Sequence, residues 1–269
     1  NAGDDGLAAG HLEFPIVGPI MIPDAPRAPE PRMRRARITA ALRAARKTGA
    51  GILAARCLCC NARGAGALCP SCFRDLPWND HPCENCATPL PDLPGTRCGA
   101  CARRAPLYDA ATAAFVYAWP VNRLLQDFKF RGRLPVGRIL ALALAEYLDL
   151  HQLPRPDVLV PVPLHRGRLA GRGFNQAAEI ARILAQSLDV AAEPALLSRA
   201  RPTPPQLGLP RRERRRNLRG AFACRRALAG VHVAIVDDVI TTGSTAEAAA
   251  QVLKRAGATR VDVYALARA

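Results

Sequence analysis

Four Cys-x-x-Cys pairs follow one another between residues 57 and 101: Cys57 with Cys60, Cys69 with Cys72, Cys83 with Cys86, and Cys98 with Cys101. The gaps between pairs are eight, ten and eleven residues. Two residues between thiolates make a tight knuckle that aims both sulfurs at one ion, and two knuckles complete the tetrahedral shell that Zn2+ favours. Eight ligands therefore predict two zinc ions. Sequential pairing, 57/60/69/72 and 83/86/98/101, is the simplest arrangement, and a cross-braced pairing of the first knuckle with the third satisfies the same spacing. Four thiolates leave no open position for water, so the sites are expected to be structural. A rubredoxin-like iron site is the competing assignment, which the colour of the protein separates, and thiol redox chemistry is the third.

Nine of the ten cysteines lie in this stretch, with Cys59 the unpaired member, which is the usage of a metal-binding module in a reducing compartment. Cys224 stands alone and reads as a small buried hydrophobe. The stretch is poor in aliphatic residues and rich in Cys, Pro, Gly and Asn, so it needs a staple to fold, and residues 57–104 are expected to form a small module of their own. Residues 1–32 carry Pro15, Pro19, Pro23, Pro26, Pro29 and Pro31 without helical or strand periodicity, the pattern of a disordered tail. Residues 33–56 read as a basic lead-in helix interrupted by Gly49 and Gly51.

Residues 105–269 have a different texture. The strand-like run at 110–118 is followed by helical patterns at 121–129 and 134–150. The apolar runs DVLVPVP (157–163), VHVAIVDDV (231–239) and RVDVYALA (260–267) then alternate with helices expected over 174–188 and 244–257. Strands that are continuously apolar and separated by helices predict an α/β fold, a parallel sheet covered on both faces.

Charge narrows the ligands. There are 38 Lys plus Arg against 22 Asp plus Glu, a net charge of +16, and only Lys47, Lys129 and Lys254 are lysines. Residues 199–226 hold ten Arg and one Glu. Such a run suits phosphate or nucleic acid, with Phe73, Trp78 and Phe222 available for base stacking, or else forms a solvated face in an Arg-rich chain. No apolar stretch approaches the roughly 20 residues of a membrane span, so no membrane insertion is expected. The opening residues carry no charged and apolar leader, and a cytoplasmic location is the expectation.

VAIVDDVITTGST (233–245) carries the most chemistry. A buried strand ending in Asp237 and Asp238 presents carboxylates to vicinal hydroxyls. Thr241, Thr242, Gly243, Ser244 and Thr245 then place hydroxyl and backbone donors around a phosphate at a helix start. Two acids at a strand end more often cap a turn, but the whole string is rarer than the pair. The P-loop and dinucleotide fingerprints are absent. The segment closely resembles the signature with which type I phosphoribosyltransferases bind the ribose 5-phosphate part of phosphoribosyl pyrophosphate (PRPP).

Together with VPVPLHRGRLAGRGFNQ (160–176), QLGLPRRERRRNLRGAF (206–222) and the cysteine module, it is similar to the ComF family of competence-associated proteins, including GntX-like members, over about residues 52–268. The resemblance implies a double zinc ribbon preceding a type I phosphoribosyltransferase-like parallel sheet flanked by helices. It places Pro163, Leu164 and His165 in a pyrophosphate loop, with Arg166, Arg168 and Arg172 as phosphate ligands. Arg199 to Arg219 become a mobile hood containing Gln206, Arg212 and Asn217. Asp237 and Asp238 become the catalytic acids, and PRPP or a related nucleotide, accompanied by Mg2+ in an active enzyme, becomes the ligand. The acceptor is not identified by any motif. A role in uptake of transforming DNA follows from the same resemblance, with single-stranded DNA and a competence helicase as the alternative partners of a non-catalytic module.

Overall fold

The computed structural model of the chain describes residues 56–63, 68–91, 96–199, 218 and 220–269. The expected tail at 1–32, the lead-in helix at 33–56 apart from Arg56, and most of the Arg-rich run, with Gln206, Arg212 and Asn217, fall outside the described residues.

The cysteine segment contributes two single-turn helices, α1 (Pro70–Arg74) and α2 (Gly99–Arg103), each opening directly after a knuckle cysteine. Pro70 occupies the first turn of α1, where its missing N–H costs nothing. The segment is not packed alone. Trp78 lies between Phe73 and Phe115, with ring centroids 5.5 and 4.6 Å away. The backbone N–H of Asn79 donates to Ala114 O at 2.9 Å, and that of Val116 to Pro77 O at 2.8 Å. Phe73, Leu76 and Trp78 thereby join the core of the larger domain.

That domain begins with β1 (Ala110–Val116), followed by α3 (Val121–Arg131) and α4 (Leu134–Leu150). Val121, Leu124, Leu125 and Phe128 give α3 one buried stripe at helical spacing. Gly137 on α4 lets that stripe approach, because a Cβ there would sit 2.4 Å from the Phe128 ring. Then come β2 (Val158–Pro161), the short α5 (Arg166–Arg172), α6 (Gln176–Leu188) and β3 (Ala191–Ala192). The three-residue strands β4 (Leu197–Arg199) and β5 (Phe222–Cys224) pair antiparallel. Cys224 is only partly buried there, contrary to expectation, because β5 is an edge; its thiol donates to Arg226 O at 3.2 Å. The chain closes with β6 (His232–Ile240), α7 (Ser244–Arg255) and β7 (Arg260–Arg268).

β1, β7, β6, β2 and β3 form one parallel sheet in that order. Side chains of a strand alternate between faces. Val233 and Ile235 of β6 accordingly enter the core under α7, while Ala234 and Val236 enter the core under α4 and α6. This double burial explains the unbroken apolar runs, and the α/β architecture is the one the sequence implies. From β2 the chain moves outward to β3, whereas from β6 it moves the opposite way to β7. The carboxyl ends of β2 and β6 therefore flank a topological switch point, where open α/β sheets place their ligand crevice.

Candidate functional site

The cysteines form two groups of four, 57/60/69/72 and 83/86/98/101, with the four sulfurs of each within 4.8 Å of one another. The pairing is sequential. Within the groups, Cys60 and Cys69 sulfurs lie 3.6 Å apart, as do those of Cys86 and Cys98. Backbone N–H groups point at the sulfurs, from Cys69 to Cys57 at 3.4 Å and from Cys98 to Cys83 at 3.2 Å. Burial raises the Cys57 thiol, but N–H donation from Cys60, Cys69 and Cys59 outweighs it and brings the group down to about 6. Cys86 reaches about 7, burial being outweighed by the Thr88 hydroxyl and N–H. Such donors favour thiolate at Cys57 and Cys86, whereas burial raises Cys72, Cys83 and Cys101; the two four-sulfur donor sets fit zinc by their composition and spacing.

At the switch point, β6 continues through both acids to Ile240 instead of ending at them. Because they are consecutive in a strand, Asp237 and Asp238 face opposite sides of the sheet. Asp238 meets Lys129 of α3, Oδ2 to Nζ 2.9 Å. Asp237 accepts the Asp238 N–H at 2.8 Å. Burial, then the charge of Asp238, pushes the Asp237 carboxyl up to about 7, against the pull of the Asp238 N–H and Lys129. The two acids thus differ: Asp238 is held in an ion pair with Lys129, whereas burial and the neighbouring charge favour the protonated form of Asp237.

Beyond Ile240, Thr241 to Thr245 turn into α7. Gly243 makes the turn at φ +74°, and a Cβ there would lie 3.2 Å from the Tyr108 hydroxyl, so both the backbone angle and the space call for glycine. Thr242 and Ser244 hydroxyls are 2.9 Å apart, and Ser244 opens the helix. Together these groups place hydroxyls and first-turn N–H groups at the end of a 12-residue helix, the arrangement that favours an anion.

β2 delivers the second loop to the same place, because Pro161 is in register with Val236 and Val162 N–H donates to Val236 O at 2.9 Å. Pro163, Leu164 and His165 follow. His165 caps α5, its Nδ1 accepting the Gly167 N–H at 3.2 Å, which is a structural use of the ring. Asn175 caps α6 through Ala177 N–H at 3.0 Å and donates from Nδ2 to Val162 O at 3.1 Å, fixing the loop at its far end. Arg166 opens α5, its side chain outside the described set. Arg172 packs on the Phe130 ring at 4.9 Å. Burial lowers its guanidinium below the usual range, with Asp238 opposing and Arg168 adding. Arg199 of β4 is lowered by burial and by Arg168, with Asp237 opposing. Arg172 thus lies in the field of Asp238, and Arg199 in that of Asp237.

Lys129, Phe130 and Arg268 are the residues that sequence reasoning passed over. Arg268, at the end of β7, donates from Nε to Cys86 O at 3.0 Å, from Nη2 to Thr88 Oγ1 at 2.9 Å and from Nη1 to Ile240 O at 3.1 Å, and also reaches the Thr241 carbonyl. It ties the second cysteine group to the head of the 241–245 turn. Beside it lies a cleft of about 500 Å3, lined by Cys86, Cys101, Arg104, Tyr108, Gly243 and Glu247 among others. The aromatics assigned to stacking are corrected: Phe73, Trp78 and Phe222 are 4%, 6% and 5% exposed and belong to the core, whereas Trp119 and Phe130 are 71% and 72% exposed. No helix of the described residues is long and apolar enough to cross a membrane.

Residues 50–102 match the model of the double zinc ribbon domain. The chain is similar to competence protein F of Haemophilus influenzae, 33% identical over 80% of this chain and 97% of that one. It is 37% identical to the DNA utilization protein YhgH of Salmonella typhi over 75% of this chain and 90% of that one. Among solved structures, a glutamine PRPP amidotransferase from B. subtilis complexed with ADP and GMP is similar at 21% identity and a TM-score of 0.37, over 52% of this chain and 30% of that one.

Proposed function

The chain belongs to the family of competence protein F and the DNA utilization proteins, and from that premise we propose that it serves DNA utilization through a crevice that binds PRPP or a related ribose phosphate. The observation that carries the reading is the convergence at one switch point of the 241–245 anion turn, the acid pair and the arginines of α5. A 5-phosphate suits the hydroxyls and N–H groups of Thr241 to Thr245. Ribose hydroxyls suit the carboxylates of Asp237 and Asp238, and a pyrophosphate suits the loop from Pro163 to Arg172.

Glycosyl transfer would then break the bond from the anomeric carbon to pyrophosphate and form one to an acceptor. Asp237 and Asp238 would stabilise the positive charge that develops on the ribosyl group, and Arg168 and Arg172 the leaving pyrophosphate, an electrostatic form of catalysis. Carboxylates of this kind suit Mg2+, which when bound with PRPP supplies neutralisation of the pyrophosphate charge.

Isothermal titration of the zinc-loaded chain with PRPP and Mg2+ tests this. Binding is expected for the wild type and its loss on replacing both acids, Asp237→Asn with Asp238→Asn. Unchanged affinity in that double variant removes the acid pair from the site.

A further inference from the structure

We infer that Phe130, flanked by Lys129 and Arg172, is a seat for the planar part of the ligand, so that the crevice takes ribose phosphates bearing an aromatic heterocycle in preference to bare sugar phosphates. This rests on the crevice being a ribose phosphate site and names the class of compound it selects.

Three aromatic side chains crowd this corner: Phe128 is 1% exposed and packs at 5.5 Å against Phe174, which is partly buried. Phe130 is 72% exposed, although α3 offers it no apolar face to lie on. A phenyl ring left in water forgoes the free energy that its burial would release. Two residues apart on a helix, Phe128 and Phe130 cannot share the inward stripe, and the ring is left outward next to Lys129, whose ammonium is 2.9 Å from Asp238.

The ring's surroundings are those of a recognition site. Arg172 comes from a different element, α5, and lies 4.9 Å from the ring centroid, its charge in the field of Asp238. An exposed ring and the guanidinium stacked on it come from two helices, next to the ammonium that meets the carboxylate proposed to hold the ribose. A flat heterocycle stacks on Phe130 as Arg172 does now, and its ring carbonyls and any negative charge find Lys129 and Arg172 as donors. Saturated or charged alkyl groups gain nothing from the ring. Base on aromatic stacking contributes about 1 to 3 kcal/mol, a factor of roughly 5 to 150 in affinity.

The test is titration calorimetry on the zinc-loaded full chain with ribose 5-phosphate, uridine 5′-monophosphate and adenosine 5′-monophosphate. Both nucleotides are expected to bind at least about fivefold more tightly than ribose 5-phosphate. Phe130→Ala should bring them down to the sugar phosphate, whose own affinity stays put, and Phe130→Trp should restore the difference. Because Phe130 is exposed, the variants should fold, and an unchanged melting temperature checks it. Nucleotides that bind no better than ribose 5-phosphate, or a preference that survives Phe130→Ala, overturn the seat and leave the phosphate site standing. Absence of binding by all three compounds overturns the site and the seat together.

Discussion

The two cysteine groups share ligands and knuckle spacing yet are fastened to the rest of the chain by opposite chemistries. The first is joined through apolar contacts: Phe73, beside Cys72, meets Trp78, which meets Phe115 of β1. The second is joined mainly through polar contacts, Arg268 to Cys86 O and Thr88, with Ala87 between them buried in the core under α7. Apolar burial is non-directional and supplies stability; hydrogen bonds from one guanidinium add little net stability but fix position. The first group is therefore part of the core, and the second is a strut against the turn that the proposed ligand uses.

The strongest way to break this comparison is to open one group at a time. Cys72→Ser should cost one zinc per chain and, since structural zinc sites contribute folding energy outright, unfold the segment that carries Trp78. The chain has two tryptophans, and Trp119 is already exposed, so a red shift in emission reports Trp78 alone. Cys101→Ser should also lose one zinc with little shift. Equal shifts from both would erase the distinction.

Trp78→Ala comes next. Deleting a buried ring of this size costs about 3 to 5 kcal/mol, read from urea melts, while the second group keeps its metal. The smallest effect belongs to Arg268→Gln. Leaving the Cys86 and Ile240 carbonyls without their donor should cost about 1 to 3 kcal/mol, with faster hydrogen exchange across Thr241 to Thr245 and no change in Trp78 emission. If exchange in that turn is unaffected, the second group is not a strut.

What could be read without coordinates follows from how locally each feature is determined. The ligand sets, the apolar strands and the 241–245 turn are written in contiguous residues, and they stand where the sequence put them. Lys129 was missed because one lysine on an amphipathic helix looks like a solvent-facing charge until Asp238, far along the chain, is folded against it. Arg268 was missed for the same reason, its acceptors lying at Cys86, Thr88 and Ile240. Phe73 and Trp78 looked available because their neighbours in sequence are polar; Phe115 packs on Trp78, and Trp78 on Phe73. β4 and β5 are three residues each, too short to show a period.

The alternation of β6 carries a further consequence for how such chains can diverge. Val233, Ile235 and Asp237 share one face, and Ala234, Val236 and Asp238 the other. A single-residue insertion or deletion between Val233 and Val236 would either hold the first half of the strand and swap the faces of the two acids, or hold the acids and turn the core residues before them inside out. Length in this strand is thus a matter of parity. Compensated changes of two residues are survivable where a change of one is not, and drift in length is pushed out to the connections beyond Ile240 and before His232.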